Sequence, residues 1–85
     1  MKTKNLNGYS NIVGSNIRKY RKLKWLSQRQ LADQVALLGV TLYYADISNI
    51  ENHNLFIRDF EQQAICKVLG ITIQQLFENT DKYFD

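Results

Sequence analysis

Eighty-five residues make one small domain, long enough for a single modest core and too short for two. A hydrophobic share of 45% without any proline excludes a disordered chain and favours packed helices over a sandwich or barrel. The net charge of +3 hides a division: residues 1–32 hold Lys2, Lys4, Arg18, Lys19, Arg21, Lys22, Lys24 and Arg29 with no acid, and every acid lies beyond them beside Arg58, Lys67 and Lys82.

That division suits a face meant for a polyanion, the plainer alternative being a solvated helix surface. No run of about eighteen apolar residues marks a membrane span, and the polar start MKTKNLNGYSN lacks the apolar centre of a signal peptide, so the cytoplasm is the expected compartment. Cys66 is the only cysteine, which leaves neither an internal disulfide nor a cysteine-based zinc site. Within the apolar segment AICKVLG it reads as a small buried residue.

Residues 1–11 are polar and read as a flexible N-terminal arm whose lysines are available to phosphates. From Ile12 to Trp25, Val13, Ile17 and Tyr20 fall on one stripe of an amphipathic helix, with Arg18, Lys19, Lys22 and Lys24 mostly off it. Asn11 or Ser10 is the expected cap. Ser27-Gln28-Arg29-Gln30 is a capping box that starts a second helix at Gln28, with Leu31, Ala32, Val35 and Leu38 facing inward and Gly39 closing it after Leu38.

The third helix contains Ile47 and Ile50 among Ala45, Asp46, Ser48, Asn49 and Asn52. Its start is open: Thr41 is the better cap chemically, whereas spacing back from Glu51 places the first helical residue nearer Tyr44. Asn52-His53-Asn54 ends it. Helical spacing returns from Asp59 to Leu69 at Phe60, Ala64, Ile65, Val68 and Leu69, and Gly70 closes that segment. Thr72-Ile73-Gln74-Gln75 is a second capping box, opening a short fifth helix through Leu76 and Phe77. Residues 79–85 form a C-terminal tail for which fraying, extension of that helix and contact with a partner are all open.

In this order and spacing, Val13-Gly14, Ile17, Tyr20-Arg21, Leu26-Ser27-Gln28, Leu31-Ala32, Gly39-Val40, Ile47-Ser48-Asn49-Ile50-Glu51, Ala64-Ile65, Leu69-Gly70-Ile71 and Leu76-Phe77 resemble the Cro/C1-type, or XRE-family, helix-turn-helix domain of phage repressors and bacterial regulators. The resemblance covers residues 12–78. It implies an all-α, compact five-helix bundle, lambda-repressor-like, whose recognition helix at about 43–52 enters the DNA major groove while the second helix lies across the backbone. Nineteen positions separate Ala32 from Glu51, several more than in the common short version, so the turn around LLGVTLYY is lengthened. Whether Leu37, Leu42 and Tyr43 cover the core or protrude is open at this point.

The DNA-binding set expected from this reading is Lys22, Lys24, Gln28, Arg29, Tyr43, Tyr44, Ala45, Asp46, Ser48, Asn49 and Asn52. Asn49 suits adenine, Asp46 suits cytosine N4, and Tyr44 suits a phosphate or a thymine methyl. The resemblance places a phosphate or base contact at Gln28, where helix-start amides also favour anions. Asp46 has a second reading as a first-turn acid that steadies the helix dipole, and Tyr43 one as a core or rim aromatic. The resemblance further implies a structural ion pair between Arg21 and Glu51.

The expected function is a sequence-specific DNA-binding transcriptional regulator of bacterial or phage type, acting in the cytoplasm on double-stranded DNA as a homodimer, with half-sites about one helical turn apart. The rival is the same fold serving as an antitoxin or other protein-binding module with a toxin or co-regulator as partner, to which Asp33 and Asp46 lend weight. An enzyme is not expected, nor a cofactor or metal: no carboxylate pair, ligand cluster or phosphate loop is present, and His53 reads as a turn residue without a catalytic partner.

Overall fold

The computed structural model describes residues 4–84, and over that span the chain is a five-helix bundle around one core. The helices are α1 (Gly14–Leu23), α2 (Gln28–Ala36), α3 (Tyr44–Glu51), α4 (Asp59–Leu69) and α5 (Ile73–Leu76), followed by a 3-10 turn at Thr80–Tyr83. No strand occurs among the described residues.

Local chemistry accounts for most of the boundaries. Asn11 starts α1, its Oδ1 accepting from the amides of Val13 and Gly14 at 3.1 and 2.8 Å, while its Nδ2 donates to the carbonyls of Ile50 and Leu55. One side chain thereby caps a helix and ties it to α3. Ser27 opens α2 with the reciprocal bonds expected of a capping box, and Thr72 with Gln75 does the same for α5. Such caps each contribute about 1 kcal/mol.

Three helix ends use the left-handed backbone. Gly70 closes α4 at φ +67°, as glycine normally does. The other two carry bulky residues there. After α1, Trp25 has φ +58°, with its amide donating to the Lys22 carbonyl and that of Leu26 to Arg21. After α3, His53 has φ +63°, with the same pair of bonds running His53 to Ile50 and Asn54 to Asn49. Both are Schellman closures in which a side chain stands at the glycine position, a conformation that costs an L-residue roughly 1–2 kcal/mol.

The core gathers Val13 and Ile17 from α1, Leu31 and Val35 from α2, Ile47 and Ile50 from α3, Ile65 and Leu69 from α4, and Leu76 from α5. Burying each such side chain is worth about 1.5–3 kcal/mol before entropy is subtracted. Helix α3 packs on both α1 and α2, and α4 backs α1 and α2 from the other side of the core. At the α1–α3 crossing the backbones nearly touch. A Cβ placed on Gly14 would lie 2.0 Å from the Ile50 carbonyl oxygen, so only glycine fits there.

Several expectations need correction. Helix α2 stops at Ala36 rather than near Leu38, because the chain unwinds through Leu37 and Leu38 into Gly39 at φ +85°. Leu38, expected inward, is 49% exposed, and so is Phe60 at 53%, since α4 turns that first-turn position past the edge of the core. Within the lengthened turn, Leu42 plugs the core and Val40 packs against it, while Leu37 and Tyr43 protrude. Helix α3 begins at Tyr44 and not after Thr41.

The two ends of the chain are fastened as well. Leu6 and Tyr9 exchange backbone hydrogen bonds, and the Ser10 amide donates to the His53 carbonyl. The arm expected over residues 1–11 is thus held down from Leu6 onward, its first three residues lying outside the described span. Asn16 donates to the carbonyls of Leu76 and Glu78, and Glu78 receives both Lys19 and the Tyr20 hydroxyl. The tail folds back on α1, with Thr80 buried and Tyr83 against Tyr9.

Candidate nucleic-acid interface

Helix α3 has two unlike faces. Ile47, Ile50 and Glu51 are buried, while Tyr44, Ala45, Asn49 and Asn52 are exposed and Ser48 is half-buried. The outward positions follow at helical spacing, so they form one strip of hydroxyl, methyl and amide groups two turns long. Tyr43 precedes it on the N-terminal side and is also exposed.

Asp46 does not point its charge freely outward. Its Oδ2 accepts from the Tyr43 amide at 2.9 Å, which caps α3 and turns one of its two carboxylate oxygens to the helix start. The side chain is the helix-start acid of its second reading.

The strip is held by a buried ion pair. Arg21 reaches Glu51 through Nε to Oε2 at 2.6 Å and Nη2 to Oε1 at 2.9 Å, and its Nη1 donates to the Leu26 carbonyl. The Glu51 hydrogen bonds hold the Arg21 guanidinium above its ordinary value, while burial works in the opposite sense. Gln28 joins the pair, its Nε2 donating to Glu51 Oε1 at 3.2 Å. The amide of Gln28 is therefore anchored on one side, half-buried, with its second hydrogen and its oxygen left for an outside group.

Arg29 is exposed on the first turn of α2, its guanidinium 5.2 Å from the centre of the Tyr44 ring. The two line a groove of about 450 Å³ between α2 and the start of α3, together with Ala32, Asp33, Leu42 and Tyr43. Lys22 and Lys24 stand exposed at the end of α1. None of Arg18, Lys22, Lys24 and Arg29 forms an ion pair among the described residues, whereas Lys19 is taken by Glu78 at 2.9 Å. The geometry brings Gln28, Arg29, Tyr43 and Tyr44 to one side and continues along α3 to Asn49 and Asn52, with the two lysines at the corner where α1 meets α2.

One cluster escaped the sequence reading. His53, expected as a turn residue without a catalytic partner, has its Nδ1 at 2.9 Å from the Asn11 carbonyl and its Nε2 at 2.8 Å from Ser15 Oγ. A carbonyl only accepts, so Nδ1 carries a proton toward Asn11, while Nε2 and the serine hydroxyl share one hydrogen bond. Tyr9 and Tyr83 pack their rings against it at centroid distances of 5.2 Å each. The cluster joins both ends of the chain to the end of α3. Its only advance signal was the histidine in a turn; its partners are remote in sequence.

Compared with protein-family models, with curated proteins and with solved structures, the chain has no match in any of the three.

Proposed function

We propose that this chain is a sequence-specific DNA-binding transcriptional regulator whose helix α3 enters the major groove. The observation that carries the reading is the outward strip Tyr44, Ala45, Ser48, Asn49 and Asn52, set beside the uncompensated cations Lys22, Lys24 and Arg29. A helix fits the major groove, amide and hydroxyl side chains address base edges, and exposed cations at the flank neutralise phosphates. The Arg21–Glu51 pair and the Gly14 contact fix how the strip is presented.

The domain measures 35 × 29 × 19 Å. A dimer reading a palindromic site would have to set its two α3 helices about one helical turn of DNA, roughly 34 Å, apart. The test is selection of bound duplexes from a random pool, followed by anisotropy titration at low and moderate salt. The reading expects a recovered consensus and an affinity that falls steeply with salt as counterions are released. Absence of binding, or binding indifferent to salt, refutes it.

A second reading, the same fold as an antitoxin or other protein-binding module, is favoured by one surface. Leu37, Leu38, Val40, Phe60 and Val68 border two adjoining grooves around Lys67, and Leu37, Leu38 and Phe60 are exposed. Exposed apolar side chains grouped in this way mark contact surfaces. Under this reading the chain co-purifies with a partner and Leu37→Asp releases it.

A further inference from the structure

Two helices end on the same left-handed closure with a bulky side chain at the glycine position, and the structure compensates only one of them. His53 recovers the cost through the Asn11 carbonyl, the Ser15 hydroxyl and two tyrosine rings. Trp25 recovers nothing of the kind. It is 91% exposed, and its indole makes no hydrogen bond, ring stacking or cation contact among the described residues. Locally strained backbone of this sort is retained where the side chain serves something outside the fold.

The surroundings define the chemistry that would complete it. Trp25 lines a shallow groove of about 490 Å³ with Lys19, Lys22 and Leu23, and Leu23 is 65% exposed. Lys24 adjoins it in sequence, and neither Lys22 nor Lys24 has an acid partner among the described residues. Lys19 is held by Glu78, so the free cations beside the ring are Lys22 and Lys24, and an apolar ring next to them suits a polyanion that also offers apolar rims. A second copy meeting this surface face to face fits poorly, because it would bring lysines against lysines.

We propose that Trp25 is a DNA-contacting side chain: its indole, with Leu23, packs against deoxyribose rims of the duplex backbone beside the bases facing α3, while Lys22 and Lys24 hold the adjoining phosphates. This rests on the DNA-binding reading above. Only Leu26 and Ser27 separate Trp25 from Gln28 and the first turn of α2, so its backbone lies where the end of α1 turns into α2. Sugar and phosphate contacts carry no base information. Trp25 therefore strengthens binding to all duplexes alike, and it does so at the expense of local stability.

Trp25 is the only tryptophan, so its emission reports this one position. The full chain is titrated with a selected duplex, following labelled-DNA anisotropy, tryptophan emission and acrylamide quenching together. The expected result is that quenching of Trp25 drops in step with the anisotropy change. Trp25→Gly should raise the denaturation midpoint and weaken every duplex by about tenfold, the effect of removing roughly 50 Å² of buried ring. Trp25→Phe should lose less.

Tight binding with Trp25 still fully quenchable overturns the proposal and spares the DNA reading, as does a folded Trp25→Gly variant that binds as wild type. No binding of any duplex overturns both. A Trp25 that stays accessible on DNA yet becomes shielded as the protein self-associates or captures an acidic protein assigns the surface to a protein partner and overturns the proposal. Should Trp25→Gly fail to fold by circular dichroism, the strain argument fails with it, and the quenching result on the wild-type chain decides the contact.

Discussion

Glu51, the last residue of α3, closes on Arg21 with both carboxylate oxygens, so the charge that ends this helix is the one that fastens it to α1. The side chains of the pair are 10% and 2% exposed. Removing one partner strands a buried charge, and Glu51→Ala should cost about 3–5 kcal/mol in urea denaturation. The double variant Arg21→Met/Glu51→Leu should be much milder, since no orphaned charge remains. A double variant as damaging as the single would show that the pair contributes more than charge satisfaction.

The Gly14 contact allows a sharper steric test. Gly14→Ala should destabilise by roughly 3 kcal/mol, at the upper end of overpacking effects, because backbone and not a flexible side chain stands in the way. Gly39→Ala meets nothing within 4 Å and should cost only about 1 kcal/mol, from its left-handed backbone. Thermal unfolding of the two variants separates crowding from conformational cost.

Base preference and bulk affinity should come apart by residue. Asn49→Ala should relax selection at one base position in a competition assay on variant duplexes. Lys22→Ala and Lys24→Ala should weaken all sequences alike and each lower the salt slope by about one unit. Uniform losses for all three would remove α3 from the role of reading helix.

Glu78 gives the fold a dependence on acid. The Tyr20 hydroxyl, first, and the Lys19 ammonium hold its carboxyl below the ordinary value of 4.5. A carboxylate with a depressed folded pKa stabilises the fold above its unfolded value and loses that contribution as the pH falls through the folded one. Denaturation midpoints should accordingly decline below about pH 4.5, and Glu78→Gln should flatten the decline. Lys19 and Tyr20 are both raised by the same partner, so the same contacts are lost a second time in alkali, as the pH climbs through their raised values.

What was legible beforehand was what is local. The Ser27 and Thr72 boxes need three residues of spacing, and Gly70 needs only its place after a periodic run. Leu38 and Phe60 were misplaced because periodicity records a stripe and not how wide the covering neighbours are. The start of α3 was open because Thr41 has cap chemistry, while the Asp46 carboxylate, placed on the Tyr43 amide, decides the boundary. The His53 cluster was invisible for a different reason: Tyr9 and Ser15 come from one end of the chain and Tyr83 from the other, each 30 or more positions from the histidine. Trp25 reads as one more apolar residue at the end of a helix until its φ and exposure are known.

The bare backbone of Gly14 against the Ile50 carbonyl turns α3 from a swivelling part into a fixed one. With no side chain as spacer or cushion behind it, the helix has one tilt relative to α1. On duplex DNA, a groove of the wrong width would have to be accommodated by bending or twisting the duplex and not by rocking the protein. Targets that deform easily would then be preferred even at base pairs no side chain touches.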